Sequence, residues 1–242
     1  MQFSKSLFAF AVYVASIHQS LAAPVNLDED STPDLAVRAN PGENKKHAIQ
    51  TTMKISGEGS LAFDADCYAI LCLGVDPVFE RTNTKHKNKN RGDSGVTVTF
   101  PGGKGSGPFR NPTLSDTSIP GAEFVSPEEF PFASTKQGGK NAYLFPVSKA
   151  AQDSQGAAVT NFYRANNIED PDRGSRNWYE IVDWEGTLGP YCQALHDNGG
   201  KKDKDNAICK SGGGGTGPWG FDVAEYTYQF KDDKFKKIDK GN

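Results

Sequence analysis

Cys67, Cys72, Cys192 and Cys209 constrain this chain most, because its first residues read as an export signal. Lys5 supplies a positive start, and Leu7 to Ile17 is an apolar run too short to span a bilayer. Ser20-Leu21-Ala22 has the small-x-small cleavage pattern, so residues 1–22 are a signal peptide and the mature chain starts at Ala23. An even number of cysteines in an oxidising compartment implies two disulfides, for which three connectivities exist. Local pairing is expected, Cys67 with Cys72 and Cys192 with Cys209. A zinc site is the rival, but the spacings fit no common zinc pattern and His196 has no obvious His partner. No later stretch is long and apolar enough for a membrane helix, so the expected product is secreted, extracellular and without a membrane partner.

Residues 23–46 form an acidic leader. Asp28, Glu29, Asp30, Asp34 and Glu43 crowd a segment with few large apolar side chains, which cannot bury enough surface to fold. Two readings stand side by side: a propeptide released at Lys45-Lys46, and an uncleaved disordered tail. Residues 47–242, about 195 in all, suit one domain with extensions.

Within that domain Thr51 to Ile55 and Val96 to Phe100 alternate as strands do, and Trp178 to Trp184 reads as a buried strand. Cys67 to Leu73 is short and apolar, a strand or a helical turn. Residues 154–168 are the best helix. Residues 101–121 and Ser211 to Pro218 read as loops, Val223 to Phe230 as a last strand, and helix content as low. The expected class is α+β: a small mixed or antiparallel sheet with a helix carrying a metal site, stabilised by disulfides and bearing long loops.

The chemistry concentrates in Ser126-Pro-Glu-Glu-Phe-Pro-Phe-Ala-Ser-Thr-Lys-Gln-Gly-Gly139. Glu128 and Glu129 stand against a Pro and two Phe, and an aromatic wall desolvates at least one carboxylate and raises its pKa toward base chemistry. On a strand the two acids point to opposite faces, so one can serve a pocket while the other meets solvent or an Arg. The bland alternative is a strand end with two solvated acids. The net charge of −3 argues against bulk attraction to nucleic acid. Lys85, Lys87, Lys89 and Arg91, however, form a dense positive run with no acid among them, read as an exposed loop able to touch phosphates.

The motif resembles the signature of the NucA/NucB-type secreted deoxyribonucleases, (C)-D-E-[YW]-P-[FM]-A-S-T-x-x-G-G. The likeness continues through Asn141-Ala-Tyr-Leu-Phe-Pro-Val147, Gln152-Asp-Ser-Gln-Gly-Ala157 and Asn161-Phe-Tyr-Arg-Ala-Asn-Asn-Ile168. It spans roughly residues 60–185 and is specific from about 124 to 168, leaving 186–242 as a C-terminal extension. Pro127 replaces the family's Cys, Glu128 its Asp, and Asp153 its helix-start Asn; the missing Cys points to different disulfide wiring. The family core ends before Cys192, which agrees with local pairing.

The resemblance implies a monomeric, metal-dependent, sequence-nonspecific endodeoxyribonuclease with one Mg²⁺ or Mn²⁺. Glu128 would be the general base, with Glu129 on the opposite face. Asn166 and Asp153 compete as the metal ligand: about 20 Å of helix would separate them, so a straight helix permits only one. A backbone-bonded Asn166 and a helix-capping Asp153 are the plain alternatives. Arg91 would hold a phosphate oxygen, while Arg164, two residues before Asn166, suits flanking backbone or a structural pair. Two further readings remain: a secreted nucleic-acid-binding or toxin-like module without turnover, and a secreted ribonuclease.

Overall fold

The computed structural model describes residues 39–210 and 216–240. The signal peptide, most of the acidic leader and the glycine run at 211–215 lie outside the described residues. In chain order the elements are β1 (Ile49–Ile55), α1 (Ser60–Leu71), β2 (Val78–Glu80), α2 (Thr84–Asp93), α3 (Pro112–Ser115) and β3 (Ser126–Phe130). There follow β4 (Tyr143–Val147), α4 (Lys149–Ala165), β5 (Trp178–Gly186), α5 (Pro190–Asp197), α6 (Ala207–Lys210), β6 (Tyr228–Lys231) and β7 (Lys234–Lys237). The class is α+β, as expected, but the strands divide into two sheets. One has the order β1-β5-β2, with β1 parallel and β2 antiparallel to β5; the other is antiparallel with the order β3-β4-β6-β7.

Helix α1 runs through the centre. Its sequence, Ser-Leu-Ala-Phe-Asp-Ala-Asp-Cys-Tyr-Ala-Ile-Leu, is rich in Ala and Leu, strong helix formers, and all twelve residues are buried. Apolar groups on every side are what a fully enclosed helix needs. The two aspartates inside it, Asp64 and Asp66, are the exceptions.

The disulfides correct the expected pairing. Cys67 joins Cys192 on α5, and Cys72 joins Cys209 on α6, with Cα–Cα distances of 4.9 and 5.4 Å. Cys67 and Cys72 are five residues apart on one helix and at its cap. That offsets them by about 140° around the axis and about 7.5 Å along it, beyond the reach of a bridge. Each cysteine therefore points to a different C-terminal helix, and both bridges tie α1 to the end of the chain.

Other expectations are corrected as well. Lys85 to Arg91 is helical: Asn83 caps the start of α2 through its side chain, which accepts from the His86 N–H at 3.0 Å. Val96 to Phe100 forms no ladder, and only Thr99 bridges to Ser106. Its alternation is nonetheless real, since Val96, Val98 and Phe100 join a small second core with Phe109, Leu144, Tyr228 and Phe235. With α1, α2 and α5 present, helix content is higher than the sequence suggested. Val223–Tyr226 is a 3-10 turn preceding β6, and β7 adds a strand.

Residues 40–47, assigned to the leader or its boundary, contact the fold. Gly42 O accepts from the Asn177 and Trp178 N–H groups at 3.0 and 2.9 Å, and Lys45 pairs with Asp76 at 2.8 Å. Both Lys45 and Lys46 lie in a 3-10 turn, Lys45–His47.

Candidate active site

Strand β3 is an edge of its sheet, and that fact builds the site. Pro127, which has no N–H to donate, is tolerated on an edge strand. Glu128 is opposite Phe145 and Glu129 opposite Leu144 on β4, so the two acids leave the strand on opposite faces. Both nevertheless line one cleft of about 380 Å³, because the cleft runs along the unpaired side of β3, between α2 and α4. Behind them Phe130 packs on Phe79 and Phe132, with ring centroids 5.6 and 5.1 Å apart, and Phe79 packs on Tyr179. Each such buried ring stabilises by about 1.5–3 kcal/mol, and together they form the aromatic wall expected beside the acids.

Glu128 is 3 % and Glu129 8 % exposed, so neither is a solvated strand-end acid. Glu129 accepts from Ser94 Oγ at 2.5 Å and has Arg91 Nε at 3.7 Å. Burial pushes its pKa up, against the Ser94 hydrogen bond and the Arg91 charge. Glu128 lies toward α4 and α1. Burial raises its pKa most, the Glu129 charge adds to this, and a hydrogen bond from the Gln155 side chain opposes it. Gln155 also donates to Asp66 Oδ2 at 2.9 Å.

Helix α4 begins earlier than the sequence suggested. Ser148 is its N-cap, its side chain accepting from the Ala151 N–H at 3.1 Å. Asp153 is therefore not the cap. It sits one turn further on, at the cleft, 65 % exposed and paired with Lys149 at 2.5 Å. The Gln152 side chain donates to Pro127 O and fastens α4 to β3.

Asn166 ends up elsewhere. It is the C-cap of α4, donates from Nδ2 to Phe162 O at 3.0 Å, and lines a separate groove between α4 and β1. Its polar group is satisfied by backbone, and most of α4 stands between it and Asp153. Arg164 donates to Asn161 Oδ1 at 2.8 Å and does not line the cleft.

The basic run splits by helix geometry. Thr84, Lys87 and Arg91 line the cleft, whereas Lys85 and Lys89 lie on another stripe, with Lys89 paired to Asp93. Asn90, on the inner face, donates from Nδ2 to the Ala133 and Thr135 carbonyls at 2.9 and 2.7 Å, seating α2 on the segment after β3.

The cleft also contains residues that the sequence did not single out. Arg81 lies over the Tyr163 ring, 4.6 Å from its centroid, and donates to Ile168 O at 2.5 Å. Ser134 bonds Tyr163 Oη at 2.8 Å. Nothing local marks Arg81, a single cation after a short strand, whereas Ser134 and Gln155 both fall within the strings quoted above.

Among the described residues no three His, Cys, Asp or Glu side chains gather as a cation cage. The cleft instead offers hard oxygen donors, with the exposed Asp153 carboxylate at its mouth. That suits Mg²⁺, which keeps most of its waters and binds through one or two carboxylates plus substrate phosphate. No helix among the described residues is long and apolar enough to cross a membrane.

Comparison with known proteins gives one family: deoxyribonuclease NucA/NucB, matched over residues 66–174. No curated protein and no solved structure matches the chain.

Proposed function

Through residues 66–174 the chain belongs to the deoxyribonuclease NucA/NucB family, and from that premise we propose a secreted, sequence-nonspecific endonuclease that hydrolyses DNA phosphodiesters with Glu128 as general base. The observation that carries this reading is the position of Glu128. It is a buried carboxylate of raised pKa, opening from an edge strand into a cleft flanked by Arg81, Lys87 and Arg91. A carboxylate whose pKa is raised toward neutrality is a competent base at working pH.

In the proposed reaction Glu128 takes a proton from water as the water oxygen forms a bond to phosphorus and the bond to the leaving sugar oxygen breaks. Arg91 and Lys87 reach the cleft from α2 and hold non-bridging phosphate oxygens. Glu129 keeps Arg91 in position from the opposite face of β3. Asp153, rather than Asn166, would hold a divalent cation, Mg²⁺ or Mn²⁺. When bound, that ion would stabilise charge on the phosphate and the leaving oxygen. None of His47, His86 and His196 lines the cleft, so the imidazole general base of a metal-independent ribonuclease has no counterpart there. Two disulfides accord with maturation in an oxidising compartment.

The test is digestion of plasmid DNA by purified protein with Mg²⁺ or Mn²⁺. Cleavage should stop in EDTA, return with added metal, and be lost in Glu128→Gln. Undiminished cleavage in EDTA refutes the metal dependence, and a fully active Glu128→Gln refutes the base.

A further inference from the structure

Asp66 is fully enclosed on α1, with one oxygen, Oδ1, lacking any hydrogen-bond partner. Its other oxygen, Oδ2, accepts from Gln155 Nε2 at 2.9 Å. The same Gln155 lines the cleft together with Glu128 and lowers that acid's pKa against burial, so one side chain stands between two carboxylates. Leaving a carboxylate in the centre of the core is expensive unless it performs a task or sheds its charge.

We propose that Asp66 and Gln155 are positioning residues for Glu128: Asp66 anchors the Gln155 amide, and the amide aims the Glu128 carboxylate into the cleft. This rests on the reading of Glu128 as the base.

The division of charge follows from surroundings. Asp66 is enclosed and faces Asp64 and Glu128, which together with burial favour its protonated form. Glu128 opens to the cleft and has Arg91 nearby. The charged and titratable groups facing the pair are Asp64 on α1, Glu129 on β3, Arg91 on α2 and Tyr179 on β5. The unpartnered Oδ1 is the atom left to carry the proton. An asparagine reproduces that state: its oxygen can accept from Gln155 and its amide nitrogen replaces the hydroxyl.

The experiment measures kcat and KM on a DNA duplex against pH at saturating Mg²⁺, in the full-length mature protein and its variants. Gln155→Met deletes the donor to Glu128. The acid limb of its kcat/KM profile should move up by about one pH unit, since a hydrogen bond to a charged group has about that effect. Its KM should stay unchanged. Asp66→Ala should move the limb the same way, and Asp66→Asn should restore it. A merely structural role lowers the rate evenly at all pH values. The proposal is overturned by a Gln155→Met profile that keeps its acid limb in place, or by an Asp66→Asn enzyme as impaired as Asp66→Ala. Should Asp66→Ala fail to fold, Gln155→Met and Asp66→Asn still decide. Glu128→Gln in the same assay separates the two ideas. If it stays active, the base assignment has failed; if it is inactive while Gln155→Met keeps its limb, only the positioning role has.

Discussion

Helix α2 turns a run of positive charge into two surfaces, and DNA should distinguish them. Lys87 and Arg91 line the cleft, together with Thr84 one turn earlier; Lys85 and Lys89 project from a different stripe. Each phosphate contact adds about 0.9 to the slope of log K against log salt. Replacing Lys87 and Arg91 with Ala removes two contacts, so the slope should flatten by about 1.8. Between 50 and 200 mM salt this is about a 12-fold smaller loss of affinity than in the parent. Replacing Lys85 and Lys89 should change the slope by less than about 0.5. Both pairs carry the same formal charge, so a bulk electrostatic effect would treat them alike. The assay is fluorescence anisotropy of a short labelled duplex across a salt series, in a Glu128→Gln background that leaves the DNA intact. Equal flattening by the two pairs would refute the reasoning, because the duplex would then lie across the outer face of α2 and not along the cleft.

Three other outcomes are expected. Glu128→Gln should lower kcat by about 10² to 10⁴, and Glu129→Gln by less, since Glu129 already accepts from Ser94; steady-state kinetics with circular dichroism as a folding control decide, and a worse Glu129→Gln reverses the assignment. Replacing Cys72 and Cys209 together with Ser, while the other bridge stands, opens an effective ring of about 22 residues and should cost about 3 kcal/mol in denaturant unfolding; a loss below about 1 kcal/mol contradicts the pairing. Asp64, whose carboxyl burial pushes up to about 8, keeps its proton in the folded chain where the unfolded chain has lost it near pH 4. The folded state thus holds the extra proton from about pH 4 to 8, and stability falls as pH rises through that window. Asp64→Asn should flatten this part of the melting profile, and an equally steep profile in the variant counts against it.

The acids of the site were legible from the sequence because the motif is local: Glu128-Glu129 between Pro127 and Phe130 states both the charges and the wall that desolvates them. β1, β5 and much of α4 were legible for the same reason, each carrying its own periodicity. Helix α2 was not, since Lys, His and Asn read as loop by composition, and its stability rests on the Asn83 cap and on Asn90 reaching the carbonyls after β3. The disulfides were misjudged because nearness in sequence is a poor guide once a helix rotates two cysteines apart. Arg81, Ser94 and Asp66 come from separate segments and meet at the site only through tertiary packing. Ser148, a capping residue in plain view, sets where α4 begins, which puts Asp153 inside the helix at the cleft and Asn166 at its far end.

The two bridges have a consequence for what happens when the chain is cut. Both run from the beginning of the domain, at Cys67 and Cys72, to its end, at Cys192 and Cys209. Any single proteolytic nick between residues 73 and 191 leaves one piece holding the first two cysteines and another holding the last two. The halves stay doubly joined, with Glu128 and Asp153 still held on the same covalent assembly, and come apart only under a reductant. The segment beyond residue 174, past the family match, is thus a clasp that closes around α1 and keeps a damaged molecule in one piece.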